Sequence, residues 1–194
     1  MSATPNDRNI IVAISGASGS RIGLRLIEVL TALDYRPHVI LSRGGRQVLA
    51  REAGIARVED LRFDESRVTL HGEQNVGAAP ASGTFPALGM IIAPCSMGTV
   101  ARIASGSSSN LVERAADVTL KERRRLVIVP RESPLSVVHL ENLLRLARQG
   151  ARIVPALLAL YAGGRTAEDF IDHIVTKALD GFGIDAGLIE RWKG

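Results

Sequence analysis

An Arg-Glu pair stands at the end of an apolar stretch in the middle of the chain. The segment LVIVP, residues 126–130, has the continuous apolar character of a strand that is buried on both faces in a parallel sheet. Arg131 and Glu132 follow it directly, and Ser133-Pro134 then breaks the run. Ligands of open α/β sheets bind just beyond the carboxyl ends of strands. The pattern therefore predicts a charged functional site here, and a solvated ion pair beside a loop is the alternative.

A second candidate site follows the first predicted strand. The strand IIVAIS, residues 10–15, runs directly into GASGSRIG and then into a helix. Gly16 and Gly19 let a ligand approach the backbone, and the helix start offers free N–H groups and a positive dipole end to phosphate. The spacing matches neither the dinucleotide fingerprint nor a Walker loop. We predict phosphate binding at this turn, with a tight turn that binds nothing as the alternative.

Two further predicted strands run into hydroxyl side chains. HVILS ends at Ser42, and the strand GMIIAP is followed by a turn with Cys95, Ser96 and Thr99. No histidine is placed by the sequence to activate Cys95, so we interpret this thiol as a small buried residue and not as a nucleophile. Glu52 lies in the last turn of the next helix, where a carboxylate opposes the helix dipole. Its own context predicts a solvated side chain.

Strands alternate with helices along the whole chain, which predicts an α/β fold with a doubly wound parallel sheet. The helix that begins near residue 110 places Leu111, Ala115 and Val118 on one face. The spacing in the next helix predicts a face turned toward the core, made of Val137, Leu140, Leu144 and Ala147. Thr166 and Asp169 predict a capping-box start for the last helix. The long Gly/Ala/Pro/Ser-rich loop 72–89 is of a kind that is often functional.

We expect one domain over residues 8–184, preceded by a disordered lead-in at residues 1–7. The tail, residues 185–194, is too short to form a domain. It carries Leu188, Ile189 and Trp192, which would be exposed unless they pack on this subunit or on a neighbour.

Composition narrows the classes of function. The 194 residues are 46% hydrophobic, which is enough for one core, and the net charge of +4 with only 4% aromatics argues against a nucleic-acid binder. A weakly basic chain suits small anionic ligands better. The single cysteine excludes an internal disulfide and a cysteine-based zinc site. The sequence shows neither a signal peptide nor an apolar run long enough for a membrane span, so we expect a cytoplasmic protein.

Five segments together resemble the flavin prenyltransferases of the UbiX family: GASGSRIGLRLIEVL, PASGTFP, IIAPCSMGTVARIASG, NLVERAADVTLKERR and LVIVPRESPLSVVHLENLLRLA. The resemblance covers nearly the whole chain, from Ile10 to Ile184. It implies a flavodoxin-like, Rossmann-type three-layer fold, a large homo-oligomer that is typically a dodecamer, and bound FMN. The implied activity joins a dimethylallyl group from dimethylallyl monophosphate to reduced FMN and closes a fourth ring, without a metal. Prenylated FMN is the cofactor of UbiD-type decarboxylases.

The resemblance also implies roles for individual residues. The implied FMN contacts are Gly16, Ala17, Ser18, Ser42, Ser96, Thr99 and Arg114. The implied active-site serine and prenyl-phosphate pocket are Ser82, Lys121, Arg131, Tyr161 and Lys177. The two implied acids are Glu52 and Glu132, which complete a catalytic set with Ser18, Lys121 and Arg131. Cations stabilise the charge on a departing phosphate, and a carboxylate near the flavin moves protons or stabilises a developing cation.

The chain departs from the family's usual pattern at a few positions. The family usually has Tyr where Ile22 stands, Pro where Arg125 stands, Arg where Lys177 stands and, in many members, Trp near Val76. It also has a His-x-Pro-like sequence in place of residues 162–164. Aromatic groups stabilise an allylic cation through their π faces. We therefore expect the departures to affect rate or donor choice more than the binding of FMN.

Two other functions are weighed against prenyl transfer. A non-catalytic or divergent FMN-binding subunit of a decarboxylase system is favoured by the missing aromatics. A flavin-dependent cysteine decarboxylase of the same fold is disfavoured, because the chain lacks that family's Asn-containing motifs and a catalytic histidine.

Overall fold

A parallel sheet forms the centre of the fold. The computed structural model describes residues 8–160 and 164–191. Its strands are β1 (Asn9–Ile14), β2 (Arg36–Leu41), β3 (Thr69–His71), β4 (Gly89–Cys95), β5 (Arg125–Pro130) and β6 (Arg152–Ile153). They pair in the order β3-β2-β1-β4-β5-β6, and each pairing is parallel. The prediction of a doubly wound parallel sheet is confirmed.

Most of the helices begin where the sequence supplies a capping side chain. They are α1 (Ser20–Ala32), α2 (Arg43–Glu52), α3 (Met97–Ala104), α4 (Leu111–Lys121), α5 (Val137–Arg148) and α6 (Ala167–Asp180). Five of these helices start with a side-chain oxygen that accepts from a backbone N–H three residues on, at Ser42, Ser96, Asn110, Ser136 and Thr166. The predicted capping box of Thr166 and Asp169 is present.

Alternating residues of β1 face two different cores. Ile10, Val12 and Ile14 belong to the core that contains the apolar residues of α1 and α6, whereas Ile11 and Ala13 belong to the core under α3 and α4. All residues of β1 and β4 are buried. The sheet is therefore the middle of three layers, as the resemblance implied.

The strand order reverses between β1 and β4, and their carboxyl ends are held together by hydrogen bonds. Ser15 N donates to Pro94 O over 3.1 Å, and Ser96 N donates to Ser15 Oγ over 2.7 Å. A crevice at such a reversal is where open α/β sheets bind ligands. The glycine turn after β1, residues 16–19, and the hydroxyl turn after β4, with Ser96 and Thr99, consequently lie side by side. We call them the first turn and the second turn.

Helix α2 lies against the end of β1 through a close contact between backbones. A Cβ on Gly45 would overlap the carbonyl oxygen of Ile14, and a Cβ on Gly16 would lie 3.1 Å from Gly44 Cα. Side chains at these positions would push the two segments apart. The contact leads α2 across the carboxyl edge of the sheet, so that its last residue, Glu52, reaches the start of α1.

The predicted inward face of α5 is wrong. Val137, Leu140 and Leu144 expose 69%, 52% and 50% of their surface, and Ala147 is exposed as well. The helix packs through Leu146 instead, which is fully buried. The periodicity correctly identified an apolar stripe, but spacing alone does not distinguish a core face from a face left open. We call this stripe, together with Leu135 and Val138, the α5 apolar face.

The tail packs on the same chain. Leu188 contacts the core formed with α1 and α6, and Ile189 is half-buried. Trp192 and the lead-in, residues 1–7, lie outside the described residues. Within residues 8–160 and 164–191, no helix is both long and apolar enough to cross a membrane.

Two histidines pair at the edge of the sheet. His38 Nδ1 on β2 lies 2.9 Å from His71 Nε2 on β3, the rings stack, and Phe85 packs edge-on against His38. Burial and, to a smaller extent, the nearby His71 lower the pKa of His38 to about 4. Burial also lowers the pKa of His71. Both rings are therefore neutral in the folded protein at neutral pH.

We predict that the histidine pair makes stability fall on mild acidification. Between pH 6.5, the ordinary histidine value, and about 4, the unfolded chain binds protons that the folded chain does not, so the free energy of unfolding decreases as pH falls. Because the rings are partly solvated, we expect a loss of about 1–2 kcal/mol. Denaturant unfolding of the parent and of His38→Gln at pH 7.5 and 5 measures it. Equal losses in the two proteins would contradict the assignment.

Candidate active site

Glu52 is bound to the first turn of α1. Its carboxylate accepts from the backbone N–H of Gly19 (3.1 and 3.0 Å) and Ser20 (2.8 Å), and from Ser20 Oγ (2.8 Å). Partial burial acts to raise the pKa of Glu52, but the hydrogen bonds from Ser18, Ser20 and Gly19 outweigh it and lower the pKa below its ordinary value. Glu52 is therefore ionised at neutral pH and fixed in position beside Ser18.

This contact corrects two predictions from the sequence. Glu52 was expected from its own context to be a plain solvated residue at a helix end; its side chain is exposed, but its carboxylate caps another helix. The N–H groups of Gly19 and Ser20 were expected to be free for phosphate, and they are occupied by the Glu52 carboxylate instead. Sequence reasoning missed both because the direction of α2 is set by a glycine contact between segments that are distant along the chain.

The second turn joins two hydroxyls after β4. Ser96 Oγ caps α3 by accepting from Thr99 N over 3.4 Å, and it lies 3.0 Å from Thr99 Oγ1. Cys95 is fully buried, and burial raises the pKa of its thiol to about 12. A thiol with that pKa is protonated at neutral pH, so the interpretation of Cys95 as a buried residue agrees with the structure.

The turn after β2 is tied to a residue that the sequence analysis missed. Ser42 Oγ accepts from Gly45 N over 2.9 Å at the start of α2. Next to it, Glu73 accepts from Arg43 N over 2.6 Å, and its carbonyl accepts from Leu111 N over 2.8 Å. Glu73 is buried and binds to the starts of α2 and α4, which fixes the beginning of the long loop 72–89. A lone acid in a Gly/Ala/Pro-rich loop gave no sequence signal for this.

Arg131 and Glu132 lie at the carboxyl end of β5, as predicted, and both are exposed. Arg131 N donates to Cys95 O over 3.2 Å, which holds the pair next to the second turn. Glu132 Oε1 accepts from Ser133 N over 3.1 Å. Arg114 lies in the first half of α4, and its Nη1 donates to Asp117 Oδ2 over 3.0 Å.

Lys121 lies at the opposite edge of the sheet. It ends α4, four residues before β5 begins, and forms an ion pair with Glu122. Ser82 lies nearby, because a Cβ on its neighbour Gly83 would be 2.9 Å from Lys121 Nζ. The strand β5 spans six residues. At about 3.3 Å per residue, the strand that lies between Lys121 and Arg131 is roughly 17 Å long, so the two residues stand at its opposite ends.

Lys177 also lies toward the edge of the sheet at which the strands begin, which we call the amino edge. It forms an ion pair with Asp180 over 3.2 Å in the last turn of α6. Asp180 O accepts from Arg152 at the start of β6, and Gly181 packs against Val127 of β5. Tyr161, predicted for the same phosphate pocket, lies outside the described residues.

Apart from Arg114 on α4 and Tyr161, which lies outside the described residues, the predicted site residues thus form two groups within one chain. The carboxyl-edge group consists of Gly16, Ala17, Ser18, Ser42, Glu52, Ser96, Thr99, Arg131 and Glu132. The amino-edge group consists of Ser82, Lys121 and Lys177. The first group offers hydroxyls, backbone groups, the Arg131 cation and the ionised carboxylate of Glu52. The second offers ammonium groups and a hydroxyl.

Comparison with known proteins gives a consistent result. The family profile described as Flavoprotein matches residues 2–179. The flavin prenyltransferase UbiX of Halalkalibacterium halodurans is 44% identical over 189 residues, which cover 93% of this chain and 91% of that protein.

Solved structures show the same likeness. The structure described as AnUbiX (PadA1) in complex with FMN and dimethylallyl pyrophosphate superposes with a TM-score of 0.91 at 40% identity, over 97% of this chain and 98% of that one. A dodecameric FMN-dependent Ubix-like decarboxylase from Escherichia coli superposes with a TM-score of 0.90 at 38% identity, over 96% and 100%. The fold, the turns and these relatives together show that the chain belongs to the UbiX family of flavin prenyltransferases.

Proposed function

We propose that this protein transfers the dimethylallyl group of dimethylallyl monophosphate to reduced FMN and so makes prenylated FMN. The observation that carries the proposal is the ionised Glu52, held against Ser18 at the crevice between β1 and β4. The family resemblance implies an active-site acid at position 52, and the Glu52 carboxylate lies at this crevice.

The residues at the carboxyl edge fit FMN. Gly16 and Ser18 are exposed in the first turn, and the hydroxyls of Ser42 and Ser96 begin the two neighbouring helices. Hydroxyls and exposed backbone N–H groups suit the phosphate and the acceptor-rich ring system of the flavin. Because the Gly19 and Ser20 N–H groups are occupied, we assign phosphate binding to the remaining donors of these turns.

The side chains act on the charges that appear during transfer. The carbon–oxygen bond of the donor breaks, the phosphate leaves with the electron pair, and the allyl carbon becomes cationic. Glu52 stabilises that cation, and Lys121 and Arg131 stabilise the phosphate that leaves. FMN, when bound in its reduced form, supplies the nucleophile. Glu132 is the second acid for proton transfer, and Arg114, Thr99 and Ala17 contact the flavin.

A complete site then requires more than one chain. Arg131 and Lys121 stand at opposite ends of β5 and do not meet within one subunit. A neighbour whose amino edge faces this carboxyl edge brings Ser82, Lys121 and Lys177 to Glu52. We propose a homo-oligomer larger than a dimer, and a dodecamer by analogy with the Escherichia coli relative.

Exposed apolar surface supports this assembly. The α5 apolar face is exposed on the isolated chain, and so are Leu157, Leu158 and Leu160, each with more than two thirds of its surface in water. Patches of this kind mark interaction sites in soluble proteins. Contact with other copies of the chain would bury them.

The product has a defined use in the family. We propose that it supplies a UbiD-type decarboxylase and that both work in the cytoplasm, where a lone buried thiol such as Cys95 stays reduced.

The alternative is a divergent FMN-binding subunit that does not prenylate. It is favoured by Ile22, which is buried in α1 where the family usually has an aromatic residue, and by the half-exposed Val76. A mass spectrum of the flavin after incubation separates the two functions.

We predict that the protein, reduced FMN and dimethylallyl monophosphate give flavin heavier by one dimethylallyl unit, with or without magnesium. Lys121→Ala and Arg131→Ala should fold and keep FMN, but should slow transfer on the order of a hundredfold, or roughly 3 kcal/mol.

Arg36→Ala, which removes an exposed cation at the start of β2, is the matched control and should retain the parent's rate. Unchanged flavin mass in the parent would refute prenyl transfer and leave the FMN-binding subunit. Parent-like rates in both Lys121→Ala and Arg131→Ala would reduce these cations to solvated surface charges.

A further inference from the structure

A fully buried carboxylate lies in the first turn of α4. Glu113 has 0% of its surface exposed. Its Oε1 accepts from Arg102 Nε and from Asn110 Nδ2 (2.8 Å). Its Oε2 accepts from Ser109 N (2.9 Å), Ser109 Oγ (2.6 Å) and Ser107 Oγ (3.3 Å). All donors converge on one charge, which Arg102 compensates.

Capping of α4 does not account for this arrangement. Asn110 already caps the helix, because its Oδ1 accepts from Glu113 N over 3.0 Å. An ionised carboxylate is costly to bury unless it is paired. Burial acts to raise the pKa of Glu113, and the hydrogen bonds from Ser109 and Arg102 outweigh it and lower that pKa. What the buried charge adds to the structure is a fixed position for Arg102.

Arg102 transmits this constraint to the second turn. Its Nη2 donates to Thr99 Oγ1 over 3.4 Å, and Thr99 Oγ1 lies 3.0 Å from Ser96 Oγ. The guanidinium lies over the turn, since a Cβ on Gly98 would be 3.4 Å from Arg102 Nη1. A continuous chain of polar contacts therefore runs from Glu113 to Ser96.

The donors and acceptors along the chain orient the Ser96 hydroxyl. A hydroxyl carries one proton and accepts two hydrogen bonds. Because Arg102 only donates, it fills one acceptor position of Thr99 Oγ1, which favours Thr99 as the donor in its contact with Ser96 Oγ. Ser96 Oγ accepts from Thr99 N as well. A Ser96 hydroxyl that accepts in both of these contacts keeps its own proton for a ligand in the crevice.

We infer that Glu113 and Arg102 are positioning residues that, through Thr99, present the Ser96 hydroxyl as a hydrogen-bond donor to the bound flavin. The inference rests on the proposed function, because it takes FMN as the ligand of this turn. Neither residue touches the flavin, and each acts only through Ser96.

A double-mutant cycle on FMN affinity tests the inference. Loss of one hydrogen bond is worth about tenfold in the dissociation constant, so Arg102→Ala and Ser96→Ala should each weaken FMN binding by about tenfold. If Arg102 acts through Ser96, the double variant should be no weaker than Ser96→Ala alone. Fluorescence titration of FMN with the four proteins gives the coupling.

Matched variants complete the design. Glu113→Gln should weaken FMN binding like Arg102→Ala; if it does not fold, Arg102→Ala still carries the test, because the Arg102 side chain is 48% exposed. Arg25→Ala breaks a comparable pair, Arg25 Nε with Asp172 Oδ1 at 2.7 Å, away from the turn, and should leave the affinity unchanged.

The outcomes separate this inference from the proposed function. Losses that multiply to about a hundredfold in the double variant would overturn the inference alone. A parent protein that does not bind FMN would overturn both. Coupled losses in a protein that binds FMN but does not prenylate it would support the inference and refute only prenyl transfer.

Discussion

The architecture of the site depends on a backbone contact between the end of β1 and the start of α2. Gly45 faces the carbonyl of Ile14, and Gly44 faces Gly16, at distances that admit no side chain. The contact sets the path of α2 across the carboxyl edge of the sheet and brings Glu52 to the N–H groups of Gly19 and Ser20. An acid that belongs to one βα unit thereby becomes part of the turn of another.

The parallel sheet imposes a second constraint. Every strand presents its carboxyl end to the same edge. The parallel topology alone therefore places the glycine turn, the hydroxyl turns and Arg131 at that edge. The same geometry sends the end of α4, with Lys121, to the other edge. We therefore propose that a transfer reaction that uses both Glu52 and Lys121 takes place in an assembly of subunits. The exposed apolar face of α5 provides surface for such an assembly.

The sequence predicted those features that depend on local patterns. Continuous apolar strands, capping residues such as Thr166, and the hydroxyls at Ser42 and Ser96 all identified elements that the structure contains. Features that depend on long-range geometry were not predictable. The role of Glu52 depends on the direction of α2. The exposure of Val137 depends on whether another element packs on that face of α5. The buried Glu113 gave no signal, because an acid in a first helical turn is common on exposed helices.

The family resemblance added the functional assignment but not the geometry. It grouped Lys121, Arg131 and Lys177 in one phosphate pocket, whereas the structure separates them within a chain. These statements agree only if neighbouring subunits complete each site, which is the central claim of this account.

Co-expression of Glu52→Ala with Lys121→Ala subunits, carrying different tags and purified for both, tests that claim most directly. If each site combines the carboxyl edge of one chain with the amino edge of another, random assembly should restore about one quarter of the parent's prenyl transfer. Co-expression of Glu52→Ala with Arg131→Ala, which damage the same edge, should restore none. Absence of recovery in the first pair, with mixed oligomers present, would contradict the shared site.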